Sequence, residues 1–168
     1  PYLVHDLTES DIVLFEKLYK EILTAKQGVK ILVQTYFGDV RDCYNNILAL
    51  DFDGIGLDFT EGKKTVEIIE KNGFANDKIL FAGVVNGKNI WKNNYKKTLA
   101  VLDSLKEKGI ETVIGTSCSL LHVPYTLKNE SKLPKKYAEH FAFAEEKLIE
   151  LAELCLLYTS PSPRDSTS

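Results

Sequence analysis

Apolar residues along the chain follow two patterns that alternate from the first residues to about residue 154. Short continuous apolar runs predict five strands, near Tyr2–Val4, Lys30–Gln34, Gly54–Leu57, Ile79–Gly83 and Thr112–Gly115. Each run is apolar at nearly every position and not only at alternate ones. This is typical of parallel strands covered on both faces.

Between these runs, apolar residues recur at three- and four-residue spacing, which predicts five helices. They are expected at Ile12–Leu23, Val40–Leu48, Lys63–Asn72, about Tyr95–Lys108, and after Pro134. Gly73 and Gly109 should end the third and fourth helices, because glycine adopts the left-handed conformation that closes a helix. The last helix should turn one apolar face inward, formed by Tyr137, Phe141, Ala144, Leu148 and Leu151.

Strands that alternate with helices give an α/β fold class, and both a doubly wound sheet and a (βα)₈ barrel fit the alternation. Sequential neighbours in the sheet would favour the barrel. Five units cannot close a barrel of eight strands, so an open sheet with apolar edges is expected. Gln34, Asp58, Asn86 and Ser117 follow the strands at their carboxyl ends, where both architectures place ligand sites.

The last fourteen residues differ in composition from everything before them. Cys155–Asp165 reads CLLYTSPSPRD and resembles the in-frame translation of a transposase-based sequencing adapter. Pro161 and Pro163 should stop any helix near Tyr158. We therefore expect residues 1–154 to form one partial domain and residues 155–168 to be a non-native tail without a site. The absence of methionine suggests a piece of a longer protein.

Composition and charge exclude several classes of protein. The chain is 44% hydrophobic and 27% charged with a formal net charge of −3, which is ordinary for a globular protein. No basic patch suggests nucleic acid as a partner, and no apolar run approaches the roughly 18 residues of a membrane span. Cys43, Cys118 and Cys155 are widely spaced and odd in number, so reduced thiols and a cytoplasmic location are expected.

Four segments at successive strand ends carry a family resemblance: KILVQTYFGD, DGIGLDF, AGVVNGKNIW and SCSLLHVP, beginning at Lys30, Asp53, Ala82 and Ser117. Together, and in this order, they resemble the N-terminal domain of cobalamin-independent methionine synthases, over Pro1 to about Leu154. The resemblance implies the last five βα units of an N-terminal (βα)₈ barrel.

The resemblance also implies what the parent protein does. Such enzymes transfer a methyl group from 5-methyltetrahydropteroyltri(poly)glutamate to homocysteine, and zinc in a second, C-terminal barrel binds the thiolate. The N-terminal barrel looks like a duplicated copy that lost its zinc. The implied partners are therefore the C-terminal barrel, homocysteine and methyltetrahydrofolate polyglutamate, and this chain is expected to be a non-catalytic scaffold.

The residues that correspond to the family's zinc site are mostly absent. Gln34 and its neighbours occupy the place of a His-x-Cys pair, Asp58 stands near a glutamate ligand, and Cys118 matches the final cysteine. Trp91 lies where a proton-transferring histidine is expected. Two possible ligands are too few for catalytic zinc, so no catalytic, cofactor-binding or metal-binding residue is predicted here.

Other candidate residues have a structural interpretation that we favour. Cys118 and His122 have a metal-compatible C-x₃-H spacing but no further cysteine or histidine nearby, so Cys118 should pack in the interior. His5 and His140 are isolated in the sequence. Trp91, which follows Lys88, should cover the end of the barrel rather than stack on a pteridine.

Charged residues and glycines near the strand ends are also expected to be structural. The lysines of the next helix should form a solvated face, although a polyglutamate tail would suit them, while Asp39 and Arg41 should cap and pair around the helix after Lys30–Gln34. The lysines are Lys92, Lys96 and Lys97, and the glycines assigned to turns are Gly38, Gly83 and Gly87.

Two other functions remain open from the sequence. One is a free-standing binding module for a small carboxylated or pteridine ligand, bound by Gln34, Asp58, Asn86 and Ser117. The other, an independent metallohydrolase on a barrel, is disfavoured by the number of possible ligands.

Overall fold

The computed structural model describes residues 2–159, which form a four-stranded parallel sheet with helices packed on one face. The strands are β1 (Leu32–Gln34), β2 (Gly54–Asp58), β3 (Ile79–Val85) and β4 (Thr112–Thr116). The helices are α1 (Glu9–Thr24), α2 (Tyr44–Ala49), α3 (Thr65–Asn72), α4 (Tyr95–Glu107), α5 (Lys135–Ala138) and α6 (Ala144–Thr159). Short 3₁₀ helices lie at Tyr2–Val4, Leu120–His122 and Leu127–Asn129.

The strands follow one another in the sheet in the order β1-β2-β3-β4, all parallel. Gln34 pairs with Gly56, Asp58 with Gly83, and Gly83 with Gly115, so the carboxyl ends of the strands lie at one edge. The prediction of sequential parallel neighbours is confirmed for these four strands. No reversal of strand order, which would mark a doubly wound sheet, occurs among them.

The predicted strand at Tyr2–Val4 is wrong, because these residues form a 3₁₀ helix. The amide of His5 donates to the carbonyl oxygen of Tyr2 at 3.2 Å, a local bond that closes the turn. Leu3 and Val4 pack partly against the core. Their burial explains the apolar run, which three residues alone cannot assign to a strand or a helix.

The helix-facing side of the sheet holds the core. Ile55, Leu57, Leu80 and Ala82 are at most 2% exposed and alternate with residues of the opposite face. Helices α3 and α4 cover them, and Leu102 is fully buried. Each such large aliphatic side chain stabilises the fold by about 1.5–3 kcal/mol, so this face provides most of the driving force for folding.

The opposite face of the sheet is less covered. Leu32 on β1 and Val113 on β4 are each 42% exposed, as expected for an open sheet with apolar edges. At the centre of this face, glycines replace side chains. A Cβ atom on Gly54 would lie 2.8 Å from the Phe81 ring, and one on Gly56 would lie 2.2 Å from Oε1 of Gln34. Side chains from neighbouring strands therefore lie across the glycines.

Local signals explain several helix ends. The Thr8 side chain accepts from the Asp11 amide while the Asp11 carboxylate accepts from the Thr8 amide, a capping box that begins α1. Gly73 and Gly109 have φ of 74° and 69° just after α3 and α4, which confirms both predicted stops. None of the helices among residues 2–159 is long and apolar enough to cross a membrane.

The predicted helix after Pro134 is wrong in two respects. It divides into α5 and α6, because the segment between them pairs with the loop before α4: Lys92 donates its amide to the His140 carbonyl at 3.0 Å, and Ala142 donates to Ile90 at 2.7 Å. Its inward face also differs. Leu148 is 56% exposed, whereas the buried residues of α6 are Lys147, Glu150 and Leu154.

Candidate functional site

The four polar residues singled out in the sequence, Gln34, Asp58, Asn86 and Ser117, lie at the carboxyl ends of successive strands. We call them the strand-end residues. Their positions follow from the parallel sheet, which brings all four strand ends to one edge. The structure shows what each side chain does there.

Asp58 is buried, at 1% exposure, and both carboxylate oxygens accept hydrogen bonds. Oδ2 accepts from the Phe37 amide at 3.0 Å. Oδ1 accepts from the Thr60 amide at 2.8 Å, the Thr60 hydroxyl at 2.9 Å and the Glu61 amide at 2.9 Å. Four donors satisfy this carboxylate, so Asp58 fixes the loops after β1 and β2 and has little capacity left for a metal or a substrate.

Asn86 and Ser117 are likewise engaged within the protein. The Asn86 amide nitrogen donates to Oε1 of Glu61 at 2.9 Å, and its Oδ1 accepts from the amides of Lys88 and Asn89. The Ser117 hydroxyl accepts from the Gly87 amide at 3.2 Å. Since Glu61 also donates its amide to Asp58, hydrogen bonds connect the ends of β2 and β3, and Ser117 connects β3 to β4.

Gln34 differs from the other three, because it is exposed and lines a cavity of about 610 Å³ between the ends of β1 and β4. Aromatic rings form part of the wall. The Phe37 ring lies 4.9 Å from Tyr36 and 5.4 Å from His122, both edge to face, and the Lys88 ammonium lies 5.3 Å from its centroid. One cavity reaches two strands that are not neighbours, so the sheet is curved towards this face.

Phe37 has a left-handed backbone conformation, with φ of 74°. This costs an L-residue about 1–2 kcal/mol. The bond from its amide to Asp58 and the ring contacts of its side chain hold the conformation. The pattern of the sequence gave no indication of it.

Cys118 is buried at 7% exposure, as predicted, and burial raises the pKa of its thiol. His122 is exposed and packs against Phe37. Within residues 2–159 no group of three or more His, Cys, Asp or Glu side chains is arranged to hold a metal ion. Among residues 2–159, Asp58 uses both carboxylate oxygens within the fold and Cys118 has no second cysteine or histidine arranged with it, so these two side chains do not form a zinc site.

Gly83 and Gly87 are needed for close approach, and Gly83 lies within β3 rather than in the predicted turn. A Cβ atom on Gly83 would lie 2.7 Å from Cα of Ser117, and one on Gly87 would lie 2.5 Å from the Cys118 carbonyl oxygen. Gly38 lies against Val4, with a Cβ position 3.1 Å from Cβ of that residue. Glycine thus allows the ends of β3 and β4 to meet.

The prediction for Asp39 and Arg41 is half right. Arg41 Nε pairs with Asp39 Oδ1 at 2.6 Å, as expected. The expected cap of α2 is wrong, because α2 has no side-chain cap and Asp39 Oδ2 accepts instead from the Lys64 amide, at 3.4 Å, just before α3. The partner comes from the next βα unit, which local sequence cannot reveal.

The remaining candidates lie at the surface. Trp91 is 57% exposed and packs against Phe141 with the two rings tilted and their centroids 5.1 Å apart. His5 is exposed, and His140 is exposed beside Glu139 at 3.6 Å. The three lysines are exposed as predicted. Lys92 and Lys97 also line a cavity of about 230 Å³ in front of α4.

Sequence analysis missed three polar residues that the structure buries or makes central: Glu61, Lys147 and Glu150. Lys147 is 1% exposed and donates to the Trp91 carbonyl at 3.0 Å, and Glu150 is 6% exposed. The signal for α6 was ambiguous, because apolar residues occur on nearly every side of it. A helix with that composition does not indicate which face is buried.

Comparison with known proteins gives consistent matches. Residues 1–109 match the family described as the N-terminal domain of cobalamin-independent synthase. Over 158 residues, 94% of this chain, it is 57% identical to a 5-methyltetrahydropteroyltriglutamate–homocysteine methyltransferase of Lactococcus lactis subsp. lactis (strain IL1403). A protein of the same name from Campylobacter jejuni subsp. jejuni serotype O:23/36 (strain 81-176) is 54% identical over 154 residues, 92% of the chain. The chain spans about a fifth of these relatives, 21% and 20% of their lengths.

Proposed function

Because the chain belongs to the cobalamin-independent synthase family, we propose that its parent protein transfers a methyl group from 5-methyltetrahydropteroyltri(poly)glutamate to homocysteine, forming methionine. The names of the relatives support this reaction. Within that protein, this chain is a scaffold without catalytic residues. The single observation that carries this role is that hydrogen bonds within the chain already engage Asp58, Asn86 and Ser117.

The scaffold is part of a (βα)₈ barrel in this proposal. The sequential parallel order, the curvature that brings β1 and β4 to one cavity, and the glycine-rich face opposite the helices all support it. Leu32 and Val113 would then face a barrel interior that further strands complete. The C-terminal barrel of the same polypeptide is the proposed partner.

In this proposal, the chain itself binds no catalytic zinc. In the proposal the metal belongs to the C-terminal barrel, where it would activate the homocysteine thiol. Here Cys118 is buried beside the cavity between the ends of β1 and β4, and Asp58 supports the loops. The alternative, a free-standing module that binds a carboxylated or pteridine ligand, would require such a ligand to compete with the hydrogen bonds that already engage three of the four strand-end residues.

We also propose that the native domain ends near Leu154 and that Cys155–Ser168 comes from an adapter. Residues 155–159 continue α6, as the sequence allowed, and Tyr158 packs against the core, contrary to the expectation that the whole tail packs poorly. Residues 160–168 lie outside the described residues. Sequencing the locus from unfragmented DNA tests this, and an uninterrupted gene encoding YTSPSPRD would refute it. A cytoplasmic location stays a prediction.

The scaffold role is tested by activity and metal content together. Purified chain, dialysed against zinc-free buffer, should retain no stoichiometric zinc and should form no methionine from homocysteine and 5-methyltetrahydropteroyltriglutamate. In the parent enzyme, Cys118→Ser should leave turnover within about twofold of wild type, because the proposal gives this buried residue no part in the chemistry. Zinc bound by the chain and lost in Cys118→Ser, or any turnover by the chain above a no-enzyme control, would overturn the proposal.

A further inference from the structure

The loop before α4, residues 90–94, is incompletely packed. Trp91, Lys92 and Asn93 line a cavity of about 230 Å³ together with residues of β3 and α4. Lys92 and Asn93 also line a cavity of about 490 Å³ together with residues of α6. We call residues 90–94 the strap, because they border both cavities and are bonded to α6. With open space beside it, the strap depends on its hydrogen bonds to stay in place.

Backbone hydrogen bonds join the strap to the segment just before α6. Ala142 donates its amide to the Ile90 carbonyl at 2.7 Å. Lys92 donates its amide to the His140 carbonyl at 3.0 Å. Both bonds break if the strap and α6 move apart, whereas the chain itself still connects the strap to β3 and α4.

Two buried side chains of α6 complete the contact. The Lys147 ammonium donates to the Trp91 carbonyl at 3.0 Å. Oε1 of Glu150, whose side chain is 6% exposed, accepts from the Asn93 amide at 2.8 Å. The Asn93 side chain bonds to β3 instead and donates to the Val84 carbonyl at 2.8 Å. The strap can therefore separate from α6 without leaving β3.

One atom of this contact is unsatisfied. Oε2 of Glu150 is buried and has no hydrogen-bond partner among residues 2–159. A protonated carboxyl loses less on burial than an ionised one, whose second oxygen needs donors from water or from the protein. Glu150 lies in the contact between α6 and the strap, so separation of the two is the local movement that lets water reach Oε2.

The positive charges near Glu150 do not pair with it. No ion pair within 4.0 Å joins Lys147 or Lys92 to this carboxylate in the described part of the chain. Glu153 accepts from the Tyr95 phenol and adds a second negative charge nearby. The titratable groups that face Glu150 from α6, the strap and the start of α4 are Lys147, Glu146, Glu153, Lys92 and Tyr95, with Cys118 close enough to Lys147 to interact with its charge.

We propose that the strap separates locally from α6 when Glu150 ionises, so that a proton on this carboxyl controls the closure. Burial raises the pKa of Glu150 above its ordinary value of 4.5. The closed contact is therefore favoured most below about pH 4.5 and is weakened as the pH rises through the raised pKa. Separation joins the two cavities beside the strap and frees Trp91 from its contact with Phe141.

The test is amide hydrogen exchange of the isotopically labelled 168-residue chain, followed by NMR across the range of pH in which Glu150 titrates. The amides of Lys92, Asn93 and Ala142 all donate across the contact. They should exchange at least about 100-fold faster than the Leu80 amide, which lies in β3 and opens only with the whole fold. Their protection should fall as the pH rises, by about tenfold for each unit by which the pKa of Glu150 is raised, and then level off.

Three variants assign this dependence on pH. Glu150→Gln resembles the protonated carboxyl and keeps an acceptor for the Asn93 amide, so the protection of the three amides should no longer fall with pH. Lys147→Met removes a positive charge that favours the ionised carboxylate, so the fall in protection should become larger. His140→Gln is the matched control. It removes another group beside the strap that titrates in this range and should leave the dependence as in wild type.

Three results would overturn the proposal. They are exchange of the strap amides no faster than that of Leu80, a dependence on pH that persists in Glu150→Gln, and a dependence that disappears in His140→Gln. If Glu150→Gln does not fold, Lys147→Met decides the question, because a fall in protection no larger than in wild type contradicts the role of Glu150. None of these results depends on the methyl transfer proposed for the parent protein.

Discussion

Two buried carboxylates in this protein have nearly the same exposure and very different surroundings. Asp58, at 1% exposure, receives four hydrogen bonds from three residues in two loops. Glu150, at 6% exposure, receives one hydrogen bond and leaves an oxygen without a donor among the described residues. Asp58 is therefore a fully hydrogen-bonded contact that connects two loops at the strand ends. Glu150 is an acceptor that the described residues satisfy at only one of its two oxygens.

The difference shows why position alone did not identify function. Asp58 stands at the end of a parallel strand, where ligand sites are expected, yet its hydrogen-bonding capacity is used up within the fold. Glu150 stands in the middle of a helix, where no ligand is expected, yet it retains capacity. Counting donors for each buried acceptor separates the two cases.

The largest expected effect is at Asp58. Asp58→Ala leaves the amides of Phe37, Thr60 and Glu61 without their acceptor, and it should lower the free energy of unfolding by about 3 kcal/mol. Urea denaturation measures this. Asp6→Ala, at an exposed residue, is the control and should cost less than about 0.5 kcal/mol. Similar losses in the free energy of unfolding for both substitutions would mean that the hydrogen bonds to Asp58 do not stabilise the fold.

The backbone strain at Phe37, whose amide donates to Asp58, should have a smaller effect on stability. Phe37→Ala and Phe37→Gly both remove the ring contacts, but only glycine adopts φ of 74° without strain. The glycine variant should therefore be more stable than the alanine variant by about 1 kcal/mol. Thermal unfolding of the two variants side by side checks this. An alanine variant as stable as the glycine variant would contradict the left-handed conformation.

At Glu150 the expected effect is a change in the free energy of unfolding with pH. Burial raises the pKa of this carboxyl above its ordinary value of 4.5. The protonated form therefore favours the folded state, and this stabilisation is present at low pH and is lost as the pH rises above about 4.5. Relative to wild type, Glu150→Gln should become more stable as the pH rises above about 4.5, and the difference should level off once the pH exceeds the raised pKa of Glu150.

Urea titrations of both proteins across that range measure the slope, with Glu107→Gln as the control for the change in net charge. A relative stability of Glu150→Gln that stays constant or falls with rising pH would show that Glu150 is satisfied when ionised, as Asp58 is. The comparison between the two carboxylates would then fail.

The smallest expected change in the free energy of unfolding comes from deleting the residues that follow α6. Deleting residues 160–168 should change the free energy of unfolding by less than about 0.5 kcal/mol, because that segment is proposed to be non-native. Deleting 155–168 should cost more, since it removes Tyr158 from the core. Differential scanning fluorimetry of the two truncations is sufficient. A loss of stability well above about 0.5 kcal/mol from deleting residues 160–168 would show that these residues support the fold.

Much of the fold followed from local patterns, and the errors share one cause. Lys30–Gln34 and Ile79–Gly83 were long enough, and apolar at enough positions, to be assigned as strands. Tyr2–Val4 was too short to distinguish a strand from a 3₁₀ turn. The buried face of α6 was predicted wrongly, because Leu148 is exposed and Lys147 is buried. The composition of the helix does not indicate which face packs against the protein. Each error arose where the deciding contact was distant in sequence.

By itself, the sequence determined the α/β class, the sequential strands, the glycine stops at Gly73 and Gly109, and the resemblance on which the family assignment began. These depend on short-range backbone preferences and on periodic burial, which neighbouring residues encode. Only the tertiary structure decided that Asp58 is saturated and Glu150 is not. Hydrogen-bond satisfaction depends on donors that arrive from elsewhere in the chain, such as the Phe37 amide 21 residues before Asp58 and the Asn93 amide 57 residues before Glu150.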